Sequence, residues 1–191
     1  DEQKFCGSGG YVEKNESISY AWKDASDEDH IKYDLPDYTV SANKTSCAST
    51  AGAILIAYYD RYYEELVPDY TVYYKFGSAI VYKDLSFETT AVNDELYDLM
   101  GTDVGGAGTT FSGFQKGMNQ YVVNHGLTYA TSSVGTLDLE KYKASIKSGK
   151  PVALFLNNFT FLWKISTKDN AETLTTRYTG VAHVAVGCGY L

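Results

Sequence analysis

The chain has 191 residues, 44% of them hydrophobic, and a formal net charge of −8 at neutral pH. That length suits a single domain with a sizeable core, and the composition excludes a disordered chain. The acidic balance argues against nucleic acid or an anionic membrane as the main partner, and no apolar run is long enough to span a bilayer.

Residues 1–40 read as an N-terminal extension packing on the rest of one domain, 1–191. Short strands are expected at 11–12 and 18–22, around a polar turn at 13–17. Residues 24–29 are an acidic loop without the alternating oxygen ligands and glycine of a calcium loop. The first helix is expected over 47–63, with small residues Ala48, Ala51, Gly52 and Ala53 admitting a close neighbour. A hairpin is expected from 72–75 and 80–83. Asn93 is placed as the cap of a helix through Met100, with Leu96 and Leu99 inward and Gly101 as its stop. The glycine-rich stretch 101–108 lacks the Gly-Lys-Ser/Thr ending of a phosphate loop and reads as a linker. Ser112 with Gln115 fits a capping box opening a helix through Phe114, Met118, Tyr121 and Val122 to Gly126. Another helix is expected over 139–147, with Gly149 as its stop. Strands follow at 151–156, from Asn157 towards a polar turn at Asn170, at 173–178 and at 181–187. Helices before strands favour an α+β class over alternating α/β.

The cysteines are Cys6, Cys47 and Cys188; their odd number leaves at least one thiol free. No Cys-x-x-Cys or His-x-x-x-His pair points to a metal site, and no cofactor motif is present. Cys47 stands at the start of the first predicted helix, where the helix dipole favours thiolate, the reactive form. His30 lies in an acidic stretch and reads as exposed. His125 lies at a helix C-terminus, where its charge is favoured without any catalytic role. His183 lies among small and apolar residues, where a polar ring needs a partner or a function. It stands 136 positions beyond Cys47, a separation close to that of papain-type nucleophile and base, ~130–150.

Three segments carry a family resemblance. Asn43-Lys-Thr-Ser-Cys47-Ala-Ser-Thr-Ala-Gly-Ala-Ile-Leu-Ile-Ala-Tyr-Tyr-Asp60 resembles the nucleophile helix of bacterial papain-like cysteine peptidases. Lys147-Ser-Gly-Lys-Pro-Val-Ala-Leu154 resembles their Gly-Lys-Pro-Val strand, and Gly180-Val-Ala-His183-Val-Ala-Val-Gly-Cys-Gly-Tyr190 their histidine strand. In order and spacing the set is similar to the bacteriocin-processing (double-glycine) and staphopain-like groups. The resemblance implies a papain-like α+β fold, with the nucleophile helix packed on a C-terminal antiparallel sheet. It implies acyl transfer: Cys47 attacks a peptide carbonyl, and His183 takes the thiol proton and returns it to the leaving amine. The Cys47 backbone N–H would face the oxyanion, with Asn43 as a second donor.

The chain departs from the family pattern at three places. Ala48 follows the cysteine where the family has Gly or Trp. No Gln precedes Cys47, and Asn43 is the nearest amide. No Asn, Asp or Glu follows His183 to orient it; Asn157 and Asn158 are substitutes by position. A longer native domain is therefore expected, its companion C-terminal fragment or a homodimer covering the apolar strand 181–187. The abundance of tyrosine, 18 against 8 phenylalanines, and the acidic balance point to a secreted or cell-surface protein. The start lacks a signal-peptide pattern, so such a protein would have lost its leader. The partner expected is a peptide or protein substrate. Two alternatives stay open: an inactive papain-like domain serving as a secreted binding module, and a thiol-dependent transferase or amidase.

Overall fold

In the computed structural model, residues 2–5, 12–14, 18–20, 28–31, 35, 45–68, 73–76, 79–82, 88–129, 138–168 and 171–190 are described. The centre of the molecule is helix α1, Cys47–Asp60. Its sequence is apolar or small on nearly every side, as a helix without a solvent face must be. Ala48, Ala53, Ser49 and Tyr58 are all but fully buried. Helices α2 (Glu88–Leu99) and α3 (Phe111–Asn124) pack beside it. Gly52 of α1 faces Leu96, Met100 and Met118, and its missing side chain lets those three meet the helix backbone.

α1 also packs against the principal sheet. That sheet is a long antiparallel hairpin of β8 (Val152–Lys168) and β9 (Ala171–Gly187), in one register from Val152↔Gly187 to Lys168↔Ala171. The two strands expected at 173–178 and 181–187 are therefore one. Thr179 and Gly180 keep their places opposite Thr160 and Phe159, so the ladder passes through the expected break. Residues of alternate parity face opposite sides of a sheet. Ala153 and Phe155 of β8, with Ala182, Val184 and Val186 of β9, belong to the core shared with the helices. On the other side, Gly187 lies close to Tyr142 of α4 (Leu139–Lys147). Tyr142 donates from its hydroxyl to the Gly189 carbonyl at 2.8 Å.

The N-terminal segment contributes strands to several parts of the fold. β1 (Lys4–Phe5) pairs with β7 (Thr109–Thr110) just before α3. β2 (Val12–Lys14) and β3 (Ile18–Tyr20) both pair with the far half of β9, at 177–179 and 172–174. Glu13 and Lys14 are thus strand rather than the expected turn. β4 (Asp29–His30) pairs with β10 (Gly189–Tyr190), and β5 (Tyr73–Phe76) with β6 (Ala79–Tyr82) as the expected hairpin. Among the described residues all pairings are antiparallel, and the class is α+β.

Two helix starts differ from the sequence reading. Asn93 lies inside α2 and donates its amide to Thr50 Oγ1 at 3.0 Å, so it ties α2 to α1 instead of capping. The cap of α3 is Thr110, whose hydroxyl accepts from Gly113 N at 3.0 Å; Ser112 is engaged by Glu2. Helix stops read correctly: Gly101, Gly126 and Gly149 all have positive φ.

Candidate active site

Cys47 is the first residue of α1. The first turn of the helix itself contains no carboxylate. The turn before it is fixed from outside. Thr45 donates its hydroxyl to Asp103 Oδ2 at 2.7 Å, and Tyr97 donates to the same oxygen at 2.6 Å. Asp103 Oδ1 accepts from Gly108 N at 2.6 Å, and Asp103 itself adopts φ 63°. Burial would raise the Asp103 carboxyl, but the hydrogen bonds from Tyr97, Gly108 and Thr45 outweigh it and hold it below the ordinary value. The stretch 101–108, expected to be a plain linker, is in this way the buttress of the segment that enters α1.

The Cys47 sulfur lies against β9. Its Sγ accepts from Val184 N at 3.2 Å, at a buried contact. That bond occupies a strand-edge donor and brings the sulfur next to the strand carrying His183. Val184 is core; alternation directs His183 to the opposite face of β9. There the imidazole is half-buried and stacks on Phe159, ring centroids 5.5 Å apart at 27°. Burial lowers the His183 pKa, which favours the neutral ring, the form able to take a proton.

Cys47 is disulfide-bonded in this structure, and it is 6% exposed. In that state it carries no thiol. Cys188 is free and exposed. Cys6 and Asn43, the expected second oxyanion donor, lie outside the described residues.

Asn157 is committed elsewhere. Its amide donates to Gln3 Oε1 at 3.0 Å and accepts from Gln3 Nε2 at 2.7 Å. It stands opposite Ala182, one position from the Leu156↔His183 pair. Asn158, the other positional substitute, has φ 49°, a left-handed conformation that asparagine tolerates. The sequence reading missed Gln3, Thr45 and Asp103. A reciprocal amide pair spanning 154 positions leaves no local signal.

Comparison with protein-family models, with curated proteins and with solved structures finds no match. Among the described residues no group of three or more His, Cys, Asp or Glu side chains is placed to hold a metal ion. Among them, too, no helix is long and apolar enough to cross a membrane.

Proposed function

We propose that the chain is a papain-like cysteine peptidase of secreted or cell-surface type, with Cys47 as nucleophile and His183 as base. One observation carries the reading: the sulfur at the start of the central helix is hydrogen-bonded at 3.2 Å to the residue adjoining His183. Positions 47 and 183 would supply the two side chains that acyl transfer needs, and the segments that carry them meet at this bond, with the imidazole on the opposite face of β9 from Val184. Once reduced, the Cys47 thiolate would attack a peptide carbonyl carbon. The imidazolium would protonate the departing amine, and water activated by the neutral ring would hydrolyse the thioester. The helix start favours both the thiolate and the oxyanion electrostatically. The disulfide suits an oxidising compartment.

The test uses the reduced protein with a mixture of fluorogenic peptides and an epoxide that alkylates activated thiols. Hydrolysis and labelling at Cys47 are expected, both abolished by Cys47→Ala and strongly reduced by His183→Ala. Labelling of reduced Cys47 at the same rate and with the same pH profile in His183→Ala would sink the pairing. A second reading is favoured by the disulfide itself: Cys47 is a structural cysteine in a binding module without peptidase activity. Peptide hydrolysis by the reduced chain discriminates against it. Acyl transfer to added amines, measured in the same assay, separates peptidase from transferase.

A further inference from the structure

We infer that Asp103 is a positioning residue for Cys47: its carboxylate holds Thr45, and through Thr45 it sets the turn that presents the sulfur. This role deepens the reading of Cys47 as nucleophile, since it concerns the same sulfur, and it falls to a residue outside the pair that acyl transfer uses. Ser46, at the N-cap of α1, makes no side-chain capping bond. Its carbonyl accepts from Thr50 N at 2.8 Å and from the Ser49 hydroxyl at 3.1 Å, which fixes the turn from the helix side. On the other side Thr45 donates its hydroxyl to Asp103 Oδ2 at 2.7 Å. Cys47 follows two residues after Thr45, its Sγ accepting from Val184 N at 3.2 Å.

The backbone of the 101–108 loop marks Asp103 out. Gly101, Asp103, Gly105, Gly106 and Gly108 all have positive φ, and all but Asp103 are glycine, the residue that such a backbone favours. Asp103 combines φ 63° with a carboxylate engaged at both oxygens: Oδ1 accepts from Gly108 N, and Oδ2 from Tyr97 as well as Thr45. An unfavoured backbone held in place by its own side chain points to a use for that side chain. The surroundings of the carboxylate are themselves anchored. Tyr97 belongs to α2, which packs beside α1. Lys4 grips the loop, its Nζ donating to the Val104 and Gly106 carbonyls at 2.6 and 2.7 Å. The Thr45 bond carries this fixed position to the start of α1. A thiolate there is favoured by the helix dipole and by nearby N–H donors, and both depend on where the turn sets the sulfur. Losing the Thr45–Asp103 bond frees the turn, shifts Sγ relative to Val184 N and the helix end, and so disfavours thiolate. An action of Asp103 through its charge has the opposite sign, because a carboxylate disfavours a thiolate nearby and its removal would favour one.

The test follows the Cys47 thiol and requires no catalysis. The full chain is first reduced, because Cys47 is disulfide-bonded here, and is checked by circular dichroism to stay folded. It is then alkylated with iodoacetamide across a range of pH, with peptide mapping to follow Cys47 apart from the other cysteines. Thr45→Val removes the donor and keeps the shape. Asp103→Gly removes the carboxylate and suits φ 63°, so the loop keeps its path. In both variants the midpoint of the rate–pH profile should move up, slowing Cys47 alkylation at neutral pH roughly tenfold. Thr45→Ser, which restores a hydroxyl, should behave as wild type. The unreduced chain gives a second readout: the Val184 amide, which donates to Sγ, should exchange with deuterium roughly tenfold faster in Thr45→Val. An unchanged Cys47 profile in folded Thr45→Val or Asp103→Gly, or a profile moved down in Asp103→Gly, would overturn the role. Should reduction unfold the chain, unchanged Val184 exchange in the unreduced Thr45→Val protein overturns it instead. A profile moved up in a chain that hydrolyses no peptide keeps Asp103 in its role and sinks only the peptidase reading.

Discussion

Replacing Gly117 by alanine pits helix propensity against packing. Gly117 is buried in α3, and alanine in place of glycine inside a helix ordinarily stabilises by about 1 kcal/mol. Here a β-carbon would fall on Met100 Cγ, 2.8 Å from the Met100 nitrogen and 3.0 Å from its Cα. Unstrained carbon contacts lie near ~3.5–4.0 Å, so the end of α2 and the middle of α3 must separate by roughly 1 Å. The Met100 side chain can turn aside, but its backbone cannot. Overpacking of this kind costs about 1–3 kcal/mol, and a backbone obstacle puts it at or above the upper end. Subtracting the propensity gain leaves a net loss of about 2 kcal/mol. Gly52→Ala is the internal comparison. Its β-carbon would meet only side-chain tips, Met100 Cε and Met118 Sδ at 3.0 Å and Leu96 Cδ1 at 3.1 Å. Those tips can shift, so its stability should change by less than about 1 kcal/mol. Urea unfolding at fixed redox state measures both variants. The expected loss for Gly117→Ala corresponds to a fall in Tm of about 4–8 °C for a chain of this size. A Gly117→Ala midpoint at or above that of Gly52→Ala would refute the argument.

Other outcomes follow from single groups. Burial pushes the Asp60 carboxyl up to about 6, against backbone help from Val67 N at 2.9 Å. The folded state then holds the proton more tightly than the unfolded one. This contribution to stability is present below about pH 4 and is lost as pH rises through about 6, by up to ~3 kcal/mol. In Asp60→Asn the loss should disappear; a pH-independent difference from wild type, in urea melts between pH 4 and 7, would contradict it. The lowered His183 pKa has the opposite sign: its contribution is present above the ordinary histidine value and is lost as pH falls through the folded one. His183→Gln should therefore flatten the acid side of the stability profile. Thr110→Ala should cost about 1 kcal/mol in thermal melts by removing the cap of α3, whereas a mutation at Gln115, the partner expected for Ser112, should leave stability unchanged. Tyr58→Phe leaves the Gly149 carbonyl without its 2.7 Å donor beneath α1, a loss of about 1 kcal/mol in the same melts.

The residues of α1, α3 and α4 specify their own helices because the signals are local. Small and apolar residues repeat without a polar face in α1, and buried Phe114, Met118 and Tyr121 recur at helical spacing in α3. Glycines with positive φ end the helices where the sequence places them. The β5–β6 hairpin and the 139–147 helix are legible for the same reason. Cys47 and His183 are legible as candidates because a thiol at a helix start and an imidazole in an apolar strand are locally anomalous. Their relation is not local. That Sγ meets β9 at Val184 depends on chain segments more than a hundred residues apart being packed together. The N-terminal arm is the clearest case. Nothing in Glu2, Gln3, Lys4 or Phe5 announces their anchors, since a two-residue strand has no periodicity to read. Its anchorage arises only when α3, β8 and the 101–108 loop present a donor, an amide and a pair of carbonyls at the spacing of three consecutive side chains.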